Sequence, residues 1–264
     1  MPRQPSLPEL VASVKADYAS VSAAVLDAPP TELLGARLAE SVISSIEADD
    51  AAIRPEAGWG FACRKGCSWC CHGTKIHISA HEAILLAQTI RARPDCDTVR
   101  IRVREAATAF RTLSPDERWA AQTPCPFLGA DGACAVYEVR PIQCRACHSL
   151  DAGSCERGHQ ARDPEPMHMD VFRSAVYAAV GLGVGEALSD RGLDDRPLEF
   201  SNAVMVALEE PDAAIRWAKG ERVFDAAFFP PEPEEIEAIR EMEEKRTRRM
   251  RNERKRKLRE TRRK

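Results

Sequence analysis

Apolar residues recur at helical spacing over most of the chain, and prolines and capping residues divide that pattern into separate helices. Residues 9–50 are rich in Ala, Leu, Val, Glu and Ser, with a break forced at Pro29-Pro30. Strand signals are few and short, the clearest being an extended segment at 75–78. The sequence therefore predicts a mainly α fold. Further helices are predicted at 80–92, 98–112, 167–189, 198–210 and 212–219, with a continuous charged helical candidate at 234–264.

Two positions carry local signals for a helix start. Ser79 followed three residues later by Glu82 forms a capping-box pattern. Ser114 is a second cap, with Pro115 at the first helical position after it. Between the helices, residues 54–60 predict a turn-rich entry and residues 123–156 a loop region dense in Cys, Pro and Gly.

The expected architecture is a set of helices around an irregular cysteine-rich metal-binding loop region, followed by a basic helical tail. We divide it into an N-terminal helical segment (1–54), a cysteine-cluster domain with packing helices (55–220) and a charged helical tail (221–264).

Charge is distributed very unevenly along the chain. Of the 38 basic and 41 acidic side chains, 13 and 2 respectively lie in residues 245–264, so this tail carries +11 and the other 244 residues carry −14. Basic arms of this kind bind phosphates in a salt-dependent, sequence-blind way, which makes nucleic acid a candidate partner. The alternative is a solvated helix that folds back on the acidic body.

Several features bear on the compartment. The first residues lack the apolar core of a secretory signal. The most apolar stretch, 174–185, is shorter than the roughly 18 residues that span a bilayer, and we interpret it as a buried helix. We therefore expect a cytoplasmic protein without a membrane partner. In that reducing compartment clustered cysteines usually bind metal rather than form disulfides.

All ten cysteines lie within residues 63–155, and nine of them are grouped, four within nine positions. Soft thiolates suit iron–sulfur clusters and zinc, and short spacings let several thiolates converge on one centre. We expect a cysteine-thiolate metal site, with an iron–sulfur cluster favoured over zinc. The tenth, Cys96, is read as a buried small residue.

Three cysteine blocks together resemble one family. They are Cys63-Arg-Lys-Gly-Cys67-Ser-Trp-Cys70-Cys71, then Cys125-Pro-Phe-Leu, then Cys134-Ala-Val-Tyr-Glu-Val-Arg-Pro-Ile-Gln-Cys144-Arg. This order is similar to that of the CxxCxxCC family of zinc- or iron-chelating proteins, also called the YkgJ family. The resemblance covers about residues 60–156 and implies eight metal-ligand positions, which leave out Cys147 and Cys96: Cys63, Cys67, Cys70, Cys71, Cys125, Cys134, Cys144 and Cys155.

The resemblance leaves the activity open. One branch of the family is similar to the flagellin lysine-N-methylase, so S-adenosylmethionine-dependent methylation of a protein is an alternative to a redox role. The spacing Cys63-x3-Cys67-x2-Cys70 also equals the radical S-adenosylmethionine signature, but that fold needs a preceding strand and repeated βα units, and helices dominate here. No residue identifies a substrate, which could be a protein or a small molecule. A structural zinc module that presents the basic tail to nucleic acid is a further alternative.

Residues beside the cysteines supply further candidates. Arg140 and Arg145 flank Cys144, and each either places positive charge near the sulfurs or holds loop carbonyls. His72 and His148 stand next to cluster cysteines as ligands or supporting groups. Tyr137 is expected in the core. The triplet Gly181-x-Gly183-x-Gly185 lacks a preceding strand, so close helix packing is expected there rather than nucleotide binding.

Overall fold

The computed structural model describes residues 6–57, 60–64, 66–73, 75–162 and 168–230. Helices dominate these ranges, which confirms the mainly α prediction. The predicted charged helix at 234–264 lies outside the described residues. The α-helices are α1 (Leu7–Leu26), α2 (Leu34–Ala57), α3 (Ala80–Arg91), α4 (Cys96–Thr112), α5 (Pro115–Ala121), α6 (Ile142–Ala146), α7 (Ala152–Ala161), α8 (Val171–Ser189), α9 (Phe200–Glu209) and α10 (Ala213–Ala218).

Short elements complete the described part. The strands β1 (His77–Ile78) and β2 (Leu198–Glu199) pair antiparallel, with His77 opposite Glu199 and Ile78 opposite Leu198. Three 3-10 turns cover Trp69–Cys71, Tyr137–Val139 and Asp225–Ala227. The chain divides into two units, residues 1–228 and 229–264, and the three-part division drawn from the sequence stays a prediction.

The helix boundaries follow mostly from local chemistry. Both predicted caps are present: Ser79 with Glu82 forms the predicted capping box at the start of α3, and Ser114 caps α5, where Glu117 completes a second box. One predicted boundary is wrong, because α2 continues to Ala57 where a turn was expected from residue 54. Proline's fixed φ is compatible with helical backbone, so Pro55 removes one helical hydrogen bond without ending the helix.

The core is a helical layer built around α3 and α9. Helix α2 packs on α3, α4 packs on α9, and α10 lies against α2 and α3. Large side chains in this layer have almost no exposure to solvent, and this apolar burial is the main favourable term in folding. They include Trp217, Phe224, Leu38, Ile84, Leu86 and Ile90.

Helices α1 and α8 form a second close pair. A Cβ added at Gly183 would meet the carbonyl oxygen of Lys15 and would lie 2.9 Å from the amide of Ala19. The helix-packing interpretation of the glycine triplet therefore holds at Gly183, whereas Cβ atoms at Gly181 and Gly185 would meet nothing within 4 Å.

Helix α8 also bears on the membrane expectation. Among the described residues, α8 is the one helix that is long and apolar enough to cross a membrane, with mean hydropathy 1.3. Half of that window is buried, and a core helix of a soluble protein passes the same test, so the finding is weak evidence.

Candidate metal centre

The first cysteine group is held in a series of tight turns. The Cys67 amide donates to the carbonyl of Arg64 at 2.9 Å, and the Cys71 amide donates to that of Ser68 at 2.8 Å. Gly66 has φ +83°, a left-handed conformation that other residues rarely adopt. These turns hold the backbone of Cys67 and Cys71 in a short, tightly folded loop.

Hydrogen bonds tie this group to the other two cysteine stretches. The Cys125 amide donates to the Cys71 carbonyl at 2.7 Å, which aligns the first and second stretches. The Ala62 amide donates to the carbonyl of Ser149 at 3.0 Å, and the Ser149 amide donates to Cys63 Sγ at 3.3 Å. All three stretches therefore meet in one region.

The second stretch is a small hairpin between Cys125 and Cys134. Leu128 pairs with Cys134 across it, and the amide of Ala135 donates to the carbonyl of Phe127 at 2.8 Å. Phe127 is 1% exposed and packs edge-on against Phe200, with ring centroids 5.4 Å apart. This buried aromatic anchors the hairpin to α9 and so fixes both cysteines.

The third stretch begins with α6, which is fastened to the helical layer. Glu82 not only caps α3 but also accepts a hydrogen bond from the Ile142 amide at 2.8 Å. The side-chain oxygen of Gln143 accepts from the amide of His77 in β1. The predicted loop at 123–156 thus contains a short helix, and that helix positions Cys144.

Thiols from the three stretches lie close enough to act on one another electrostatically. Burial raises the pKa of Cys144 well above its usual range, and neighbouring Cys125, Cys147, Cys134 and Cys70 raise it further. Burial likewise raises the pKa of Cys125 to about 12, with Cys134 and Cys70 adding to the effect. These effects agree with the backbone hydrogen bonds in bringing separate cysteine stretches near one another.

The first group takes part in the same network. A side-chain hydrogen bond with Cys71 is the largest cause that raises the pKa of Cys70. Burial raises the pKa of Cys67, and the neighbouring Cys63 raises it further. Burial raises the pKa of Cys147 to about 12, followed by the effects of Cys70 and Cys63.

Two arginines beside these thiols have different tasks. Arg145 is the one that holds loop carbonyls: its side chain donates to Arg140 O at 2.9 Å and to the carbonyl of Glu138, and pairs with Glu47 at 2.9 Å. Burial raises the pKa values of Cys134 and Cys147, and the charge of Arg140 partly opposes that rise.

The Arg140 guanidinium is held on an aromatic ring. It stacks on Tyr137 at 4.2 Å from the ring centroid, and its buried Nε has no hydrogen-bond partner among the described residues. Tyr137 was expected in the core, but it is 52% exposed and serves as a surface platform for Arg140.

The neighbouring histidines make contacts of their own. His72 Nδ1 lies 3.0 Å from the Ser68 carbonyl oxygen, and its ring lies 4.7 Å from that of His159 on α7. The ring of His148 packs on Phe61 at 4.6 Å. Burial, followed by the charges of Arg173 and Arg140, lowers the pKa of His148 to about 4. His148 is therefore neutral near pH 7.

The eight predicted ligand positions stay a prediction, and the structure describes the surroundings of three further or flanking cysteines. Cys147, which the sequence left out, lies beside Cys144, Cys63 and Cys70. The thiol of Cys155 on α7 donates to the carbonyl of Asp151 at 3.6 Å. Cys96 begins α4 and is partly buried against the core, as expected of a small packing residue. The sequence offered one signal for Cys147, its spacing of three residues from Cys144.

The chemistry of these donors fits a soft metal. The region offers thiols that become thiolate ligands on losing a proton, and an amide that donates to Cys63 Sγ. Within the described ranges no three Cys, His, Asp or Glu side chains already stand in metal-binding geometry. Binding would accordingly draw the thiolates together as their protons leave.

Comparison with known proteins finds a family model that matches part of the chain. Residues 62–166 match the CxxCxxCC model, described as a putative zinc- or iron-chelating domain. This segment is similar to that domain. The resemblance drawn from the three cysteine blocks is confirmed, and metal binding by the cysteine cluster is supported at the level of zinc or iron. Searches of curated proteins and of solved structures gave no match.

Proposed function

We propose that this cysteine-rich segment carries an iron–sulfur cluster with a redox or group-transfer role in the cytoplasm. The observation that supports the proposal is the set of hydrogen bonds that brings the three cysteine stretches together, from Cys125 N to the Cys71 carbonyl and from Ser149 N to Cys63 Sγ. One structural zinc takes four ligands, whereas this pocket gathers more thiols than one such site uses. A cluster or a second centre would employ the surplus.

The charge around the pocket also favours a cluster. Arg140 and Arg173 both act on the Cys147 thiol, and the Ser149 amide donates to Cys63 Sγ. Hydrogen bonds to sulfur and nearby positive charge are among the features that set the reduction potential of iron–sulfur clusters. A zinc site, which has no redox chemistry, would gain only thiolate stabilisation from them.

The test is anaerobic purification followed by analysis of iron, zinc and acid-labile sulfide. The proposal expects a brown protein with iron and sulfide in similar amounts and an electron paramagnetic resonance signal in one oxidation state. A colourless protein with stoichiometric zinc and no sulfide would reject it and favour the zinc alternative. Protein free of both metals would reject metal binding itself.

The charge of residues 245–264 favours a second function, binding of nucleic acid by the tail of the zinc form. The +11 charge would neutralise several phosphates, so binding should weaken steeply with salt. The comparison is full-length protein against a variant ending at residue 230, each titrated with single-stranded RNA at two salt concentrations. Equal binding by both would remove this function.

A further inference from the structure

One buried arginine contacts the third cysteine stretch from outside the segment 62–166 that the family model matches. Arg173 lies on α8 and is 2% exposed. Its guanidinium donates to the carbonyl of Arg145 at 3.0 Å and to that of Ala146 at 3.4 Å, the two residues that follow Cys144. The last carbonyls of a helix lack the donor four residues on, so this buried cation holds the end of α6 in place.

The same guanidinium also contacts the chain that leads into the first cysteine stretch. It lies over the ring of Phe61, 4.9 Å from the ring centroid, and Phe61 stands two residues before Cys63. Contacts between a cation and an aromatic face are strongest when the cation is desolvated. Directly beside this contact the two stretches join, where the Ala62 amide donates to the Ser149 carbonyl at 3.0 Å. Arg173 therefore supports that join from both sides.

Helix α2 fixes the arginine in turn. Asp50 on α2 pairs with Arg173 at 3.0 Å and accepts a hydrogen bond from the Tyr177 hydroxyl at 2.9 Å. Three residues earlier Glu47 pairs with Arg145 at 2.9 Å. Residues at this spacing lie on one face of a helix, so a single face of α2 holds α6 and α8 together.

We propose that Arg173 is a positioning residue of the cysteine-thiolate centre, which sets the first and third cysteine stretches in place before metal binds. The inference rests on the proposed metal-binding function and adds α2 and α8 to the scaffold of the site. Ligands that are already arranged lose less freedom on binding, so the metal binds more tightly. Arg173 acts through the carbonyls and the ring that it contacts and is not itself a ligand.

The first test compares wild type with Arg173→Met, with Leu188→Ala as the control. Leu188 is 0% exposed and lies roughly 22 Å farther along the same helix, so its truncation destabilises α8 away from the cysteine stretches. Metal-free protein is titrated anaerobically with Co²⁺ against a competing chelator, at a temperature where circular dichroism shows every variant folded. The thiolate-to-cobalt absorbance reports binding.

The proposal expects Arg173→Met to bind Co²⁺ about 10–100-fold more weakly than wild type, the usual effect of removing a group that orients metal ligands. Leu188→Ala should bind as wild type does. Equal Co²⁺ affinities of Arg173→Met and Leu188→Ala would overturn the inference alone. Wild type that binds neither Co²⁺ nor a native metal would overturn the proposed function with it.

A second measurement covers the case in which Arg173→Met fails to fold. Arg173→Lys keeps a cation for Asp50 but loses the planar fork that reaches several partners at once. Hydrogen exchange of the metal-free protein, resolved by residue, compares this variant with wild type. The amides of Ala62 and Ser149 should exchange faster, while those of α9 should not change. Unchanged exchange at both joining amides, or the same acceleration in α9, would overturn the positioning role.

Discussion

Replacing Arg173 by Met should destabilise the protein strongly, because this buried cation joins three parts of the fold. Arg173 is 2% exposed and pairs with Asp50 on α2 at 3.0 Å. It also donates to the Tyr177 hydroxyl at 2.8 Å, and Tyr177 in turn donates to Asp50 at 2.9 Å. Its other nitrogen reaches the carbonyls at the end of α6.

The magnitude follows from what the substitution leaves behind. Methionine preserves much of the side-chain volume but leaves the Asp50 carboxylate, 26% exposed, without its cation. Breaking a buried ion pair by removing one partner costs about 3–5 kcal/mol. Carbonyls that lose a donor would each add roughly 1 kcal/mol or more. We expect a loss of about 3–5 kcal/mol, because such contributions are not additive.

The matched control is Arg104→Met. Arg104 pairs with Glu209, but these side chains are 59% and 39% exposed, and exposed pairs contribute about 0.2–1 kcal/mol. Urea unfolding followed by circular dichroism, under reducing conditions and with metal content determined for each sample, measures both variants. At about 2–3 kcal/mol per molar urea, the Arg173→Met midpoint should fall by roughly 1–2 M. A midpoint no lower than that of Arg104→Met would refute the reasoning.

Three further predictions concern other parts of the chain. Burial lowers the pKa of His81 to about 3, so as the pH falls the unfolded chain binds a proton before the folded chain does. The free energy of unfolding should therefore decrease below about pH 6.5, by about 2 kcal/mol at pH 5. His81→Leu should weaken this pH dependence, measured by urea unfolding, and an unchanged pH dependence would contradict the prediction. Gly183→Ala should lower the free energy of unfolding by about 1–3 kcal/mol, because the new methyl group pushes α8 from α1. Gly181→Ala should raise it by up to about 1 kcal/mol. Equal melting temperatures of the two variants would contradict this prediction. Cys67→Ser should lower bound metal and stability together, which full metal occupancy would disprove.

Local chemistry explains which parts of the fold were predictable from sequence. The capping boxes at Ser79 and Ser114 depend on residues three positions apart, so both helix starts were found. The family was recognisable because its cysteine blocks are also local. What the sequence left open is how the stretches meet.

The missed features depend on tertiary position. The placement of α6 depends on Glu82, which accepts from the Ile142 amide, and on the return of the chain to Cys63 at Ser149. Tyr137 is aromatic and follows Val136, which favours the core, but it lies on the surface against Arg140. The first of these contacts joins residues far apart in sequence.

The central claim is that sulfur atoms from separate stretches hold one metal centre. X-ray absorption at the edge of the bound metal, on protein purified anaerobically, tests it most directly. The account predicts a first shell of sulfur at about 2.3 Å. A first shell made only of nitrogen or oxygen at about 2.0–2.1 Å would contradict it.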